Sequence, residues 1–176
     1  GVPCDNSLVL GYPAPEKRDL YLFPLPETFV VLPWRRYVAA MLCRVEDEEK
    51  KRFSGDPRAC LEKVVEEARK SGWLPRTATS CDFFLFPREG LNRFVELTDK
   101  GERVREDMIE YLSQMGVKVE GSGQGIAPNQ HEVSLAGTSA LNSADWVVRF
   151  KHAAKVTAEQ NGAFVSFMPQ PAQGIE

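Results

Sequence analysis

The sequence predicts an α+β domain of mixed α/β character, in which helices pack on one face of a sheet. Short apolar runs bounded by proline and glycine read as strands, longer segments carry apolar residues at helical spacing, and the two kinds alternate from Asp56 onward. With 176 residues, 43% hydrophobic and 27% charged, the chain is long enough for an apolar core and has neither a disordered nor a fibrous composition.

Taken in order, Leu20-Tyr21-Leu22-Phe23 and Thr28-Phe29-Val30-Val31-Leu32 read as extended runs. Pro24 and Pro26 between them exclude helix and force a turn. A third strand is expected over Tyr37 to Val45, followed by the charge run Glu46 to Arg52, whose mixed signs suit a solvated connector. The first helix is signposted at both ends. Asp56 suits the N-cap, and Pro57 the first helical position, where a missing N–H costs nothing. Leu61, Val64, Val65 and Ala68 follow at helical spacing, and Gly72 closes the helix.

Asp82-Phe83-Phe84-Leu85-Phe86 reads as a buried strand, too short for a helix. A second helix is expected from Glu102 to Met115, with Val104, Met108, Tyr111, Leu112 and Met115 on one stripe and Gly116 beyond it. Val117 to Glu120 alternates like a half-buried strand, and the glycines and proline of Gly121 to Gln130 read as a loop. The third helix covers Ser139 to Gln160 and stops at Asn161-Gly162. Ala163 to Met168 is the last strand, ended by Pro169.

Composition narrows the partners. A net charge of -3 offers no basic field to nucleic acid, and no apolar stretch approaches the ~20 residues that span a bilayer. The N-terminus lacks the basic and apolar regions of a signal peptide. Cys4, Cys43, Cys60 and Cys81 show no Cys-x-x-Cys spacing and sit in apolar or helical patterns, which points to a reduced, cytoplasmic setting.

Few residues carry chemistry. His131-Glu132 has no metal-spaced partner nearby, and His152 lies on the third helix. Asp82 stands at the head of an apolar strand, where a carboxylate needs either solvent or a cation. Neither Gly55-Asp56-Pro57-Arg58 nor Gly121-Ser122-Gly123 fits a Walker or dinucleotide fingerprint, and there is no recognisable nucleophile signature.

The landmarks are more specific together than singly. Asp5-Asn6-Ser7, Arg18-Asp19-Leu20, Thr28 to Trp34, Ala40 to Cys43 and Gly55 to Arg58 occur in that order. Phe83 to Phe86, Gln130 to Val133, Ala144-Asp145, Lys151, Lys155 and Phe167 to Pro171 follow. In order and spacing the chain resembles the glutamine synthetases. The resemblance implies a β-grasp remnant over residues 1–52 and the first part of a catalytic domain over residues 53–176.

The family phosphorylates glutamate with ATP and lets ammonia displace the phosphate, holding Mg²⁺ or Mn²⁺ with several carboxylates. Carried over, its metal-binding Glu-x-Glu falls on Ser80 and Asp82, and the glutamate of His-Glu-Val on Glu132. The next glutamate, eight residues on, falls on Ala140, and the usual His-His-Glu is Gln130-His131-Glu132. Asp5 matches an aspartate that helps bind and deprotonate ammonium at a neighbouring subunit's site. Between Phe86 and Phe94 only seven residues stand where the family carries a long insertion, and the family's glutamate- and phosphate-binding arginines fall beyond Glu176. The resemblance therefore implies a homo-oligomer without ligase activity of its own, for which a small-molecule substrate is doubtful. The alternative is a fragment of an active ATP-dependent carboxylate–amine ligase.

Overall fold

The computed structural model describes residues 2–3, 20–88 and 98–171, with side chains from 20–88 and 101–171. Asp5 and Cys4 lie outside the described residues. The chain divides into two compact units, Gly1–Leu32 with Tyr37–Pro75, and Pro33–Arg36 with Arg76–Glu176.

In the first unit β1 (Val2–Pro3), β2 (Tyr21–Pro24), β3 (Val30–Val31), β4 (Ala39–Ala40) and β5 (Cys43–Glu46) form two antiparallel sheets, β1-β2-β5 and β3-β4. Only part of the expected Thr28 to Leu32 run is extended. Pro26–Thr28 is instead a 3-10 turn, in which the buried Thr28 hydroxyl lies 2.7 Å from the Leu25 carbonyl and 2.9 Å from the Leu42 amide. The single strand expected over Tyr37 to Val45 breaks into β4 and β5, which belong to different sheets. Its start is lost because Tyr37 adopts φ 59°, outside the extended region. Glu46 is not solvated as expected of the charge run. It is buried and pairs with Arg44 Nε at 2.6 Å.

The first helix, α1 (Pro57–Lys70), begins and ends where its signals stand. The Asp56 carboxylate accepts from the Arg58 amide at 2.9 Å, and its second oxygen accepts from the Val45 amide of β5 at 3.3 Å. One side chain thus caps the helix and ties it to a strand. Gly72, just past the end, has φ 84°, which a side chain would resist.

The second unit runs β6 (Arg76–Pro87), α2 (Thr98–Gln114), β7 (Val119–Gln124), β8 (Gln130–Ser139), α3 (Ala140–Gln160) and β9 (Ala163–Ser166). The four strands form one antiparallel sheet in the order β7-β8-β6-β9. Three strand expectations need correction. β6 is longer than its apolar run, so Asp82 is mid-strand rather than at a head. β7 starts at Val119 and runs to Gln124, taking in Gly121 and Gly123, read as loop, because neither needs positive φ. β8, a central strand, had no expected counterpart.

Side chains alternate across the sheet. Phe83 and Leu85 of β6 and His131, Val133 and Leu135 of β8 are buried and share one face. The buried stripe of α2 is Val104, Met108 and Leu112, and that of α3 is Phe150, Ala153, Ala154, Thr157 and Ala158. Phe83 meets Phe150 edge-on with ring centroids 5.7 Å apart. The helices therefore cover one face, as the patterning predicted. Phe84 and Phe86 are buried on the opposite face, where Phe86 stacks on Phe164 of β9 with centroids 5.2 Å apart. A continuous Phe-Phe-Leu-Phe run is thus explained by burial on both sides.

Trp34 belongs to this unit. Its ring lies 5.4 Å from that of Tyr111 on α2 and 4.9 Å from that of His152 on α3. His152 is accordingly an exposed aromatic contact on the helix layer, and it belongs to no metal-holding group of three among the described residues.

Candidate functional site

The carboxylates singled out in the sequence meet on the sheet face opposite the helices. Asp82 of β6 and Glu132 of β8 are direct register partners, and on the other side of β8 the partner of Glu132 is Gly123 of β7. Partners in register point to the same face with Cβ atoms about 5 Å apart. The neighbouring rung pairs Ser80 with Ser134. Glu132 leans toward that rung. Its Oε1 accepts a hydrogen bond from the Ser80 hydroxyl and another from Ser134 at 3.2 Å, while the two hydroxyls lie 3.4 Å apart. Asp82 and Glu132 are both exposed. The site is therefore a shallow polar rung beside the aromatic patch of Phe84, Phe86 and Phe164.

His131 does not act with Glu132, because neighbouring residues of a strand face opposite ways. Its ring is buried under α2 and beside Phe83, with ring centroids 5.6 Å apart. Arg105 donates to Nδ1 at 2.6 Å, so the ring is neutral and carries its proton on Nε2. Burial first, and the Arg105 charge second, push its pKa down to about 4. Nε2 is buried with no partner among the described residues. The ring fills the space over Gly101 of α2, where an added Cβ would stand 2.6 Å from Cε1 and 2.9 Å from Nε2. This is a packing arrangement that only glycine at position 101 permits. Cys81, also on the buried side, has its thiol pushed up to about 11, mainly by burial.

The sequence profile described as "Glutamine synthetase, catalytic domain" matches residues 54–176, more than half of the chain. The chain belongs to the glutamine synthetase family. It is 36% identical to the glutamine synthetase of Methanosarcina mazei over 99% of its own length and 42% of that protein's. For that of Clostridium saccharobutylicum the figures are 33%, 97% and 42%. The chain thus spans well under half of these relatives. Among solved structures, the GmaS/ADP complex superposes with a TM-score of 0.83 at 24% identity over 93% of this chain and 40% of that one. A novel glutamine synthase homolog gives 0.78 at 22%, over 96% of this chain and 42% of the other. These likenesses show that the fold is shared.

The resemblance sets the family's metal-binding glutamates at Ser80, Asp82, Glu132 and Ala140. The structure brings the first three together and leaves the fourth apart. Ala140 is the first residue of α3, beyond the end of β8, and a strand rise of ~3.3 Å per residue puts it roughly 25 Å from Glu132. A carboxylate at position 140 would not join Glu132, so that expectation is corrected. Ser134 and Gly123 were missed, since only the register of β8 against its neighbours reveals them.

The donors can be tested against a magnesium or manganese ion of the kind the family uses. Carboxylate oxygen is the right ligand for a hard cation. The number is too small, because among the described residues no three His, Cys, Asp or Glu side chains gather as a metal-holding group. Glu132 is moreover already held by two hydroxyls. The residues present do not fit a multi-carboxylate metal site.

Proposed function

We propose that this chain is a glutamine synthetase-like protein without ligase activity of its own, in which residues 1–52 are a β-grasp remnant and residues 53–176 the first part of a catalytic domain. The observation that carries this reading is the makeup of the open sheet face. Asp82 and Glu132 meet there without a third metal-holding side chain among the described residues, and serine hydroxyls occupy Oε1 of Glu132. Phosphoryl transfer depends on positioning and on neutralising charge with metal ions and cationic side chains. Two carboxylates on an exposed rung supply neither a metal pair nor a cationic clamp. Asp82 and Glu132 are the residues on which any residual metal affinity rests, and Asp5 is the counterpart of the ammonium-binding aspartate.

The same reading makes the protein a cytoplasmic homo-oligomer that binds neither nucleic acid nor membrane. Support comes from the three described cysteines, all free, and from the absence among described residues of a helix long and apolar enough to cross a membrane. The test is glutamine formation from glutamate, ammonia and ATP with Mg²⁺ or Mn²⁺ by the purified chain, followed as release of inorganic phosphate. No release above the protein-free rate is expected. Ammonia-dependent release that Glu132→Gln removes would overturn the proposal.

A second reading is favoured by one observation, that the chain spans 42% of the Methanosarcina mazei and Clostridium saccharobutylicum enzymes. In it the chain is part of a longer ATP-dependent carboxylate–amine ligase that makes a γ-glutamyl amide. A reading frame that continues past Glu176 into further catalytic sequence supports it, and a stop codon directly after Glu176 defeats it.

A further inference from the structure

We infer that the hydroxyls of Ser80 and Ser134 take the place of a divalent cation on Oε1 of Glu132, so that this sheet face is held together without metal and can be made to bind metal by placing carboxylates at two neighbouring positions. The inference rests on the reading of the chain as a family member that has lost its activity, and says how the disarmed face is satisfied.

Three rungs of the antiparallel sheet carry it: Phe84 opposite Gln130, Asp82 opposite Glu132, and Ser80 opposite Ser134. Two carboxylates directly opposite each other repel, and such a pair is relieved either by a cation between them or by turning one away onto donors. Here Glu132 turns away. Its Oε1 accepts from both hydroxyls of the serine rung rather than pointing with Asp82 at a shared ion. A serine hydroxyl supplies one donated proton, and two of them on one oxygen compensate a carboxylate without a full positive charge. A metal ion could reach Oε1 only by displacing both, and among the described residues would gain only Asp82 as a further charged ligand.

The geometry also shows where a ligand could be added. Gly123 pairs with Glu132 from the other side, and a Cβ built on it meets nothing within 4 Å. Its φ is not in the left-handed region, so a side chain is tolerated there. A glutamate at position 123 would stand on the same face as Glu132 and Asp82. A glutamate at position 80 would remove one of the hydroxyls and add a ligand on the next rung. Affinity for a hard cation rises with the number of charged oxygen ligands.

The experiment is Mn²⁺ uptake, read from the loss of the free-ion electron paramagnetic resonance signal. Wild type should leave the signal of added Mn²⁺ unchanged, and Ser80→Glu/Gly123→Glu should take up one ion at least roughly tenfold more tightly. Uptake by wild type that Glu132→Gln abolishes overturns the inference. So does a double variant with native circular dichroism that binds no better than wild type. If the double variant does not fold, infrared spectra decide. The carboxylate stretch identified through Glu132→Gln should shift in Ser80→Ala/Ser134→Ala, and an unmoved band overturns the inference. Ligation or transfer activity without Mn²⁺ uptake would defeat the functional reading and leave this inference standing. Glu132-dependent uptake without activity would do the reverse.

Discussion

His131 shows how far a residue's meaning depends on which way it points. Beside Glu132 in the sequence it suggests a joint polar site, yet the two lie on opposite faces, and His131 is a neutral core residue accepting from Arg105. Its folded pKa of about 4 lies below the ordinary 6.5, so between those values the unfolded chain binds the extra proton. Stability from this group is therefore fully present above pH 6.5 and is lost as pH falls toward 4, by up to about 3 kcal/mol at the rate of 1.36 kcal/mol per pKa unit. Urea unfolding at pH 7 and pH 4.5 should differ less in His131→Gln than in wild type, and an equal difference would contradict the assignment. Gly101 makes the complementary case. Gly101→Ala gains about 1 kcal/mol of helix propensity, yet it drives a methyl into a ring that Arg105 and Phe83 hold in place. A net loss of about 1–3 kcal/mol is expected from overpacking. Thermal melts should show Gly101→Ala/His131→Ala losing less than the sum of its two single changes.

Among elements, those defined by local signals were legible. Asp56, Pro57 and Gly72 mark α1 because caps act within one turn, and the stripe of α2 follows from its 3.6-residue period. Asp56 also reaches Val45 of β5 and lies 3.6 Å from Arg52, so Asp56→Ala should cost about 2 kcal/mol, toward the upper end for a helix cap. Asp56→Asn keeps a capping oxygen and should lose less, as a smaller drop in urea midpoint. The strands were read less well. β8 carries clear alternation, with His131, Val133 and Leu135 buried and Glu132 exposed, but the Gly-rich stretch before it drew attention to a loop. Gly121 and Gly123 sit in β7 because the strand is paired to β8, a contact between residues apart in the chain that no local pattern encodes. The candidate site suffered in the same way. Glu132 and Asp82 could be named from the sequence, whereas the Ser134 contact and the open position at Gly123 depend on register.

At the level of the whole molecule, family membership and the proposed lack of activity rest on different residues. The landmarks among the described residues, such as Gly55 to Arg58 and Phe83 to Phe86, lie in turns, strands and the core. The resemblance places metal-binding carboxylates on the open face, and among the described residues Asp82 and Glu132 meet there beside Ser80 and Ser134, with no group of three metal-holding side chains. Apolar surface is also left on the first unit, where Trp73 is 72% and Leu74 74% exposed just beyond α1. Exposed aromatic and aliphatic neighbours of this kind mark association surfaces. Light scattering at high protein concentration should therefore show an oligomer that Trp73→Asp/Leu74→Asp shifts toward monomer, while a monomeric wild type would contradict self-association. The most direct test of the central claim is γ-glutamyl transfer from glutamine to hydroxylamine by the purified chain with Mn²⁺, ADP and arsenate. The account predicts no hydroxamate above the protein-free control. Hydroxamate that accumulates in proportion to protein and disappears in Glu132→Gln would contradict it.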